Sequence, residues 1–415
     1  MRLLHTSDWH LGQTLHQFER SHEHTRFLAW LLDTLVAEEV DALLIAGDVF
    51  DNANPSSQSQ AQFYRFLTEA RHRLPRLDIV VIAGNHDSPG RLEAPSPFLA
   101  LFDAHVIGQI RRVSGEVEVD RLLLPLRGRS GDVEAWCIAM PFLRPADVPR
   151  VEGLEEGSDA YLAGIEAVHR LALQRALARR RPGQTLVAMG HCHLSGGQVS
   201  QESERRIVIG GAEALSTAIF DPAIAYVALG HLHLAQCVGR DPTRRYSGSP
   251  LPLSFSEIHY PHQVVVVDLD GDAPPRIRAL HVPRAVELLR VPVTPAAVEE
   301  ALAALEALQL LGGPEEDWPY LQVRIRLGQP EPGLRARVDA ALAGKPVRLA
   351  RIETTHARPA DEAAPSGLSV DELEALGPAD FFRRLYAHRY GDAPPAELMA
   401  AFDELLAAPG HPADL

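Results

Sequence analysis

Five short motifs in this chain set carboxylate, amide and imidazole groups close together: Asp8-Trp9-His10, Gly47-Asp48-Val49-Phe50-Asp51, Gly84-Asn85-His86-Asp87, Gly190-His191 and Gly230-His231-Leu232-His233. Oxygen and nitrogen donors of these types suit hard or borderline divalent cations such as Mn²⁺ or Fe²⁺. The set needs no thiolate, which argues against structural zinc. Two cations held roughly 3.5–4 Å apart require one ligand in common, and a carboxylate bridges best. Such a pair acidifies water and neutralises charge on a phosphate, the requirements of hydrolysis at phosphorus. Singly each motif is weak, because a lone histidine is usually a core or surface residue and a glycine after a strand is often only a positive-φ turn. The weight lies in their combination.

The elements that must position these groups read as alternating strands and helices. Residues 2–6 form a short buried strand ending at Ser7-Asp8, and a helix is predicted over 22–38 from Phe27, Leu28, Leu31, Leu32 and Leu35. A strand at 41–47, a helix at 56–74 and a strand at 78–84 follow, then strands at 104–108, 117–124 and 135–140. After a helix at 158–180 come strands at 185–189, 206–210, 225–229, 263–269 and 276–282. Continuous Val/Ile/Leu runs bounded by glycine indicate strands buried on both faces of an α/β fold. Each motif follows a strand end, where ligands bind in open α/β sheets. From 286 the pattern restarts as a small β-α-β-α-β unit to 355. Residues 356–367 have linker composition, and 368–415 carry two or three helices with Phe381, Phe382, Leu385, Tyr386, Leu398, Phe402, Leu405 and Leu406 as apolar positions.

At 415 residues the chain exceeds one core of usual size, so two or three domains are expected. Its 46% hydrophobic and 23% charged residues are ordinary globular composition. No apolar run is long enough to span a bilayer, and the polar start leaves no signal peptide, so a cytoplasmic protein with no membrane association is expected. Three scattered cysteines fit neither a disulfide framework nor a zinc spacing. A net charge of -15 is unusual for a nucleic-acid protein. Bound dications, a local arginine patch or a partner that carries much of the DNA contact would each soften that objection, so net charge neither proves nor excludes DNA.

The ordered set of five motifs resembles the calcineurin-like metallophosphoesterase superfamily. That resemblance implies a four-layer α/β/β/α sandwich of two mixed sheets in 1–285, here followed by a small α/β capping domain and a helical C-terminal tail. It implies that Asp8, His10, Asp48 and His233 hold one metal, and that Asp48 bridges to a second completed by Asn85, His191 and His231. His86 is then the non-ligand histidine facing substrate, stabilising the transition state or protonating the leaving oxygen. Asp87 either orients the His86 ring or caps a helix. His193 is left out, since family members usually carry one ligand in that motif. His5, His16, His22 and His24 have spacing that fits a solvated helix start rather than a third metal site.

Within the superfamily, Arg2-Leu-Leu-His-Thr-Ser-Asp-Trp-His-Leu-Gly12, Gly47-Asp-Val-Phe-Asp-Asn-Ala-Asn-Pro-Ser56 and especially Tyr246-Ser-Gly-Ser-Pro-Leu-Pro-Leu-Ser-Phe-Ser-Glu257 resemble the SbcD family of bacterial nuclease subunits. The resemblance implies a Mn²⁺-dependent double-strand exonuclease and single-strand or hairpin endonuclease acting on DNA with an SMC-like coiled-coil ATPase, SbcC. The tail would dock on that coiled coil, or else fold back on its own domain. A homodimer within a heterotetramer is implied, for which Phe63, Phe66, Phe98, Leu99 and Phe102 form either a dimer patch or ordinary core. Archaeal and eukaryotic relatives place a histidine where this chain has Asp51. Arg91, Arg111, Arg112 and Arg144 are candidate phosphate contacts. A phosphomonoesterase or small-nucleotide phosphodiesterase would keep the same metal site without needing the cap or tail. A non-catalytic scaffold typically loses a ligand or the His86 equivalent, and here every position is filled.

Overall fold

A computed structural model of the chain describes residues 1–151, 153, 159–200, 214–356, 377–390 and 393–407. They divide into two compact units, Met1–Val286 and Glu287–Leu415. In chain order, the strands of the first unit's two large sheets are β1 (Arg2–Thr6), β2 (Ala42–Ala46), β3 (Asp78–Ile82), β4 (Ala104–Ile107), β5 (Leu123–Arg127), β6 (Val133–Ala139), β7 (Thr185–His191), β8 (Tyr226–Gly230), β9 (Gln236–Val238), β10 (Asp241–Tyr246), β11 (Gln263–Asp268) and β12 (Arg276–His281). One sheet runs β12-β11-β1-β2-β3-β4 and the other β9-β10-β8-β7-β6-β5. β1 to β4 are parallel, with β11 and β12 added antiparallel. In the second sheet β6, β7, β8 and β10 are parallel and β5 and β9 antiparallel.

Side-chain alternation builds the layers. Along β2, Ala42, Leu44 and Ala46 face the second sheet, where they join Val187, Ala188, Val227 and Leu229 in one apolar cluster. Leu43 and Ile45 face the opposite way, onto Phe27, Leu31 and Leu35 of helix α1 (Ser21–Ala37) and Phe63, Phe66 and Leu67 of α2 (Ser57–Arg73). Helix α3 (Ala160–Arg179) covers the far side through Ile165, Val168, Ala172 and Ala176. The four-layer α/β/β/α sandwich expected from the resemblance is the fold of this unit. Ser56 caps α2 by accepting from Ser59 N, and Asp159 caps α3 by accepting from Tyr161 N and Leu162 N, fixing both helix starts.

Several expectations need correction. The strand read at 117–124 breaks into a ribbon strand at Glu116–Val117, a 3-10 turn at Val119–Leu122 and β5, because Val119 and Leu122 bury with a spacing of three rather than two. Strands β9 and β10 were missed, since DPTRRY offers little apolar alternation. Phe63 and Phe66 are core, and Leu99 is buried, so none of these belongs to a surface patch. Phe98 and Leu101 by contrast are 71% and 77% exposed. The strand read at 206–210 and nearly all of the linker at 356–367 lie outside the described residues.

In the second unit β13 (Leu288–Ala296), β14 (Tyr320–Leu327) and β15 (Arg348–His356) form a parallel sheet in that order. Helices α4 (Val298–Ala307) and α5 (Leu334–Ala341) bury Leu302, Leu305 and Val338 against Leu321, Val323 and Ile325. Two further helices, α6 (Pro378–Tyr390) and α7 (Ala396–Ala407), pack on each other with the Phe382 and Phe402 rings stacked at 4.3 Å. Phe381, Leu385 and Leu398 on this pair stay exposed. No helix among the described residues is long and apolar enough to cross a membrane.

Candidate metal centre

The five motifs lie at the carboxyl ends of β1, β2, β3, β7 and β8, so both sheets supply donors. The backbone there is unusual. Asp8 (φ 54°), His10 (φ 46°), Asp48 (φ 49°) and His231 (φ 106°) all occupy positive φ. Such conformations cost a non-glycine residue of the order of 1–3 kcal/mol each, so the surroundings must enforce them. Backbone hydrogen bonds do so: Asp8 N donates to Gly47 O and His10 N to Asp48 O, both at 3.0 Å. Between them Trp9 points the other way, fully buried with its ring edge-on to Phe27 and Phe66 and its Nε1 donating to Thr6 Oγ1. The indole anchors the turn while its two neighbours face the site.

Two glycines are there for close approach. A Cβ on Gly47 would lie 2.3 Å from His191 Nδ1, and one on Gly84 would lie 2.1 Å from Asp48 Oδ1. Any side chain at either position would push a donor out of the cluster.

Asp8, His10, Asp48, His191, His231 and His233 are all at least 95% buried, and Asn85 is half-buried. Potential ligand atoms of Asp8, His10 and His233 lie within 4.8 Å of one another, as do those of Asp48, His191 and His231 and those of His10, Asp48 and His86. Asn85 Oδ1 sits 3.0 Å from His191 Nε2 and 3.1 Å from His231 Nδ1. Asp48 Oδ2 lies 3.4 Å from His191 Nε2 and 3.7 Å from His10 Nε2, standing between the two groups. His10 Nε2 is buried without a hydrogen-bond partner, a costly arrangement that a cation relieves. The donor set therefore fits divalent metal ions, with lone pairs from both sheets converging and the Asp48 carboxylate near a histidine of each group.

Behind the donors, oxygen acceptors fix the rings. His191 Nδ1 is 2.9 Å from Ala46 O, His10 Nδ1 is 3.2 Å from Asp51 Oδ1, and His233 Nδ1 is 2.9 Å from Glu257 Oε1. Each leaves Nε2 facing the cluster. Ser7 Oγ donates to Asp8 Oδ2 at 2.5 Å and meets Ser247 Oγ at 2.8 Å. Sequence reasoning had no role for Asp51 and passed over Ser7, Ser247 and Glu257. The one available signal was that Ser247 and Glu257 fall within the distinctive 246–257 segment.

Electrostatics follow from crowding charge away from water. Burial alone would raise the Asp48 carboxyl, yet the imidazoles of His191, His10 and His86 more than offset it and hold it well below the usual carboxylate range. Burial keeps Asp8 above its ordinary value despite His191 and His233. Burial opposes charge on His191, but Asp48 and Asp8 pull it up to about 9, while burial and His191 hold His231 well below normal. Protons and a cation compete for the same lone pairs.

His86 lies at the edge of the cluster with Nδ1 2.7 Å from Asp51 O. Its backbone N donates to Asp48 Oδ1 at 2.9 Å. Asp87 takes neither expected role. Its carboxylate accepts from the backbone N of Val49, Phe50 and Gly84, tying the second motif to the third, and burial together with Asp48 pushes it up to about 6. His193 is not grouped with the donors; its ring lies 6.4 Å from that of His231. His5 and His24 are fully buried rather than solvated, His5 bridging Tyr226 OH and Leu229 O, and His24 facing Trp9 O. Among the candidate arginines, Arg144 touches the site loop, donating to Asp87 O at 3.1 Å, whereas Arg111 is paired with Glu93, Arg112 donates to Asp147 O and Arg91 is exposed.

Comparison with known proteins agrees with this geometry. The calcineurin-like phosphoesterase family model matches residues 1–235, and a model described as the type 5 capsule protein repressor C-terminal domain (SbcD_C) matches 282–390. The SbcD subunit of the SbcCD nuclease from Rhodobacter capsulatus is 45% identical over 389 residues, covering 92% of this chain and 94% of that protein. Its Escherichia coli K12 counterpart is 34% identical over 68% of each chain, and the Bacillus subtilis one 38% identical over 65% of this chain and 66% of its own. With motifs, fold and relatives in agreement, this chain belongs to the SbcD family of metal-dependent nuclease subunits within the calcineurin-like phosphoesterases.

Proposed function

We propose that Asp8, His10, Asp48 and His233 hold one Mn²⁺ and that Asp48, Asn85, His191 and His231 hold a second, in a site that cleaves DNA phosphodiesters. The observation carrying this reading is the convergence of buried lone pairs from five strand ends, with Asp48 Oδ2 between the two groups. When bound, the dications supply acidification of water and charge neutralisation on the phosphate. The chain's own residues do the rest. His86, fixed through Nδ1 by Asp51 O, presents its other nitrogen to substrate and stabilises the transition state or hands a proton to the leaving oxygen. Asp87 holds the second and third loops in register, and Arg144 braces the third from outside.

The relatives' name places them in an SbcCD complex, and by analogy this chain works in the cytoplasm with an SbcC-type coiled-coil ATPase. The paired helices α6 and α7, with Phe381, Leu385 and Leu398 exposed, suit docking into a groove between partner helices. Phe98, Leu101 and Phe102, all exposed, suit contact with a second copy of the chain within a heterotetramer. The deciding assay gives the protein, with and without that partner, Mn²⁺ and linear duplex DNA, p-nitrophenyl phosphate or cyclic nucleotides in parallel. DNA cleavage abolished by chelation is the expected result. Full DNA cleavage after exhaustive chelation, or turnover confined to the small substrates, would sink the proposal.

A further inference from the structure

The two groups of donors are backed unequally. His233 and His10 each set Nδ1 against a side-chain carboxylate, Glu257 at 2.9 Å and Asp51 at 3.2 Å. Asp8 accepts from Ser7 Oγ, which meets Ser247 Oγ. In the other group, His191 Nδ1 has only the neutral carbonyl of Ala46, and His231 directs Nδ1 at Asn85 Oδ1.

Much of this unequal backing comes from one segment, 246–257. Glu257 is fully buried, with Oε1 on His233 and Oε2 accepting from Leu253 N at 2.7 Å. The Glu257 backbone carbonyl faces His262 Nε2, whose Nδ1 reaches Ser249 O. Ser249 N in turn donates to His233 O. Arg20 clamps the segment from outside, donating to Pro252 O at 2.5 Å while paired with Glu23. A carboxylate buried this completely is costly unless its oxygens are used, and both are.

We propose that Glu257 is a positioning residue that makes the Asp8/His10/His233 site the tighter of the two metal sites, with the 246–257 segment folded to hold it. A carboxylate accepting the Nδ1 proton locks the tautomer that leaves Nε2 free, and its charge raises the ring's donor strength. A backbone carbonyl locks the tautomer but adds no charge, so the His191 site receives orientation alone.

The inference rests on the ligand assignment proposed above, and its test separates the two. Mn²⁺ is titrated into the chelated full chain by calorimetry, with the bound ion followed by electron paramagnetic resonance. Wild type is expected to bind two ions with unequal affinity, and Asp8→Asn to lose the tighter one. Glu257→Gln, which keeps the volume and removes the charge, should weaken the tighter site by about 10- to 100-fold and leave the other within about threefold. If Asp8→Asn still binds two ions as wild type does, the ligand assignment fails and takes this inference with it. If Asp8→Asn behaves as expected but Glu257→Gln binds both ions normally, or loses both equally, the assignment stands and the role of Glu257 is wrong. Should Glu257→Gln fail to fold, Glu257→Asp, which keeps the charge but withdraws it from His233 Nδ1, provides the test on the same residue. The same selective weakening supports the inference, and unchanged binding overturns it.

Discussion

The two units use the same construction and differ in what they do with it. Each lays parallel strands side by side and covers a face with helices: β1 to β4 under α1 and α2 in the first, and β13 to β15 under α4 and α5 in the second. In the first unit the strand ends that carry the motifs are strained and polar. Every non-glycine residue at positive φ among the described residues lies in this unit, and Asp8, His10, Asp48 and His231 are among them. In the second unit the described strands end in ordinary conformations, and no group of metal-type donors forms among the described residues. Parallel strands alone therefore do not make a site. The site requires residues held in costly conformations by the hydrogen bonds they make to their neighbours.

If that contrast is sound, removing the one side chain proposed to serve both metal sites has the largest effect. On the proposed ligand set, Asp48→Ala removes the bridging carboxylate and the acceptor for His86 N, so at least one metal is lost. DNA cleavage should fall by about a thousandfold or more, corresponding to several kcal/mol of charge stabilisation. Metal analysis alongside a nuclease assay checks this, and retention of both ions would remove Asp48 from the bridging position. His86→Ala comes next. On the proposed division of roles, in which the ring is placed by Asp51 O and left out of the ligand set, it should lower kcat by about 10²- to 10⁴-fold with both metals still bound. Loss of metal in that variant would instead make His86 part of the donor set.

Much of this was legible in the sequence, for a physical reason. Groups that meet at a point sit at strand ends, where glycine and apolar runs announce them, so Asp8, His10, Asp48, Asn85, His191, His231 and His233 could be named as candidates from spacing and resemblance, and the fold brings them together. What backs them was not legible. Glu257 lies 24 residues beyond His233 in a stretch of serines and prolines, and only folding brings it to 2.9 Å. Asp87 reads as a partner for the ring beside it, but three backbone N–H groups from two loops compete better for its oxygens. His5 and His24 were misjudged because polar identity suggests solvent, while their places in β1 and on the inner face of α1 bury them. Strand β10 lacks the alternation that marks an interior strand and escaped notice for that reason.

The smallest expected effect separates the units by acid. Every buried histidine among the described residues lies in the first unit. Burial lowers His5 to about 3, His24 to about 4 and His169 to about 4. Because the folded values lie below the ordinary 6.5, the unfolded chain binds more protons than the folded one between those limits. The stability held by these neutral rings is present above pH ~6.5 and is lost as pH falls toward about 4, at up to about 1.4 kcal/mol per pH unit for each ring. His191, pulled up to about 9, titrates on the other side of that window. In chelated protein the first unit should therefore unfold at a higher pH than the second, as two transitions followed by hydrogen exchange across each unit. His169→Leu, edge-on to Phe220 and not itself in a donor group, should move only the first transition to lower pH. If both units unfold together, or the second goes first, buried neutral histidine does not set the acid limit of the unit that carries the site.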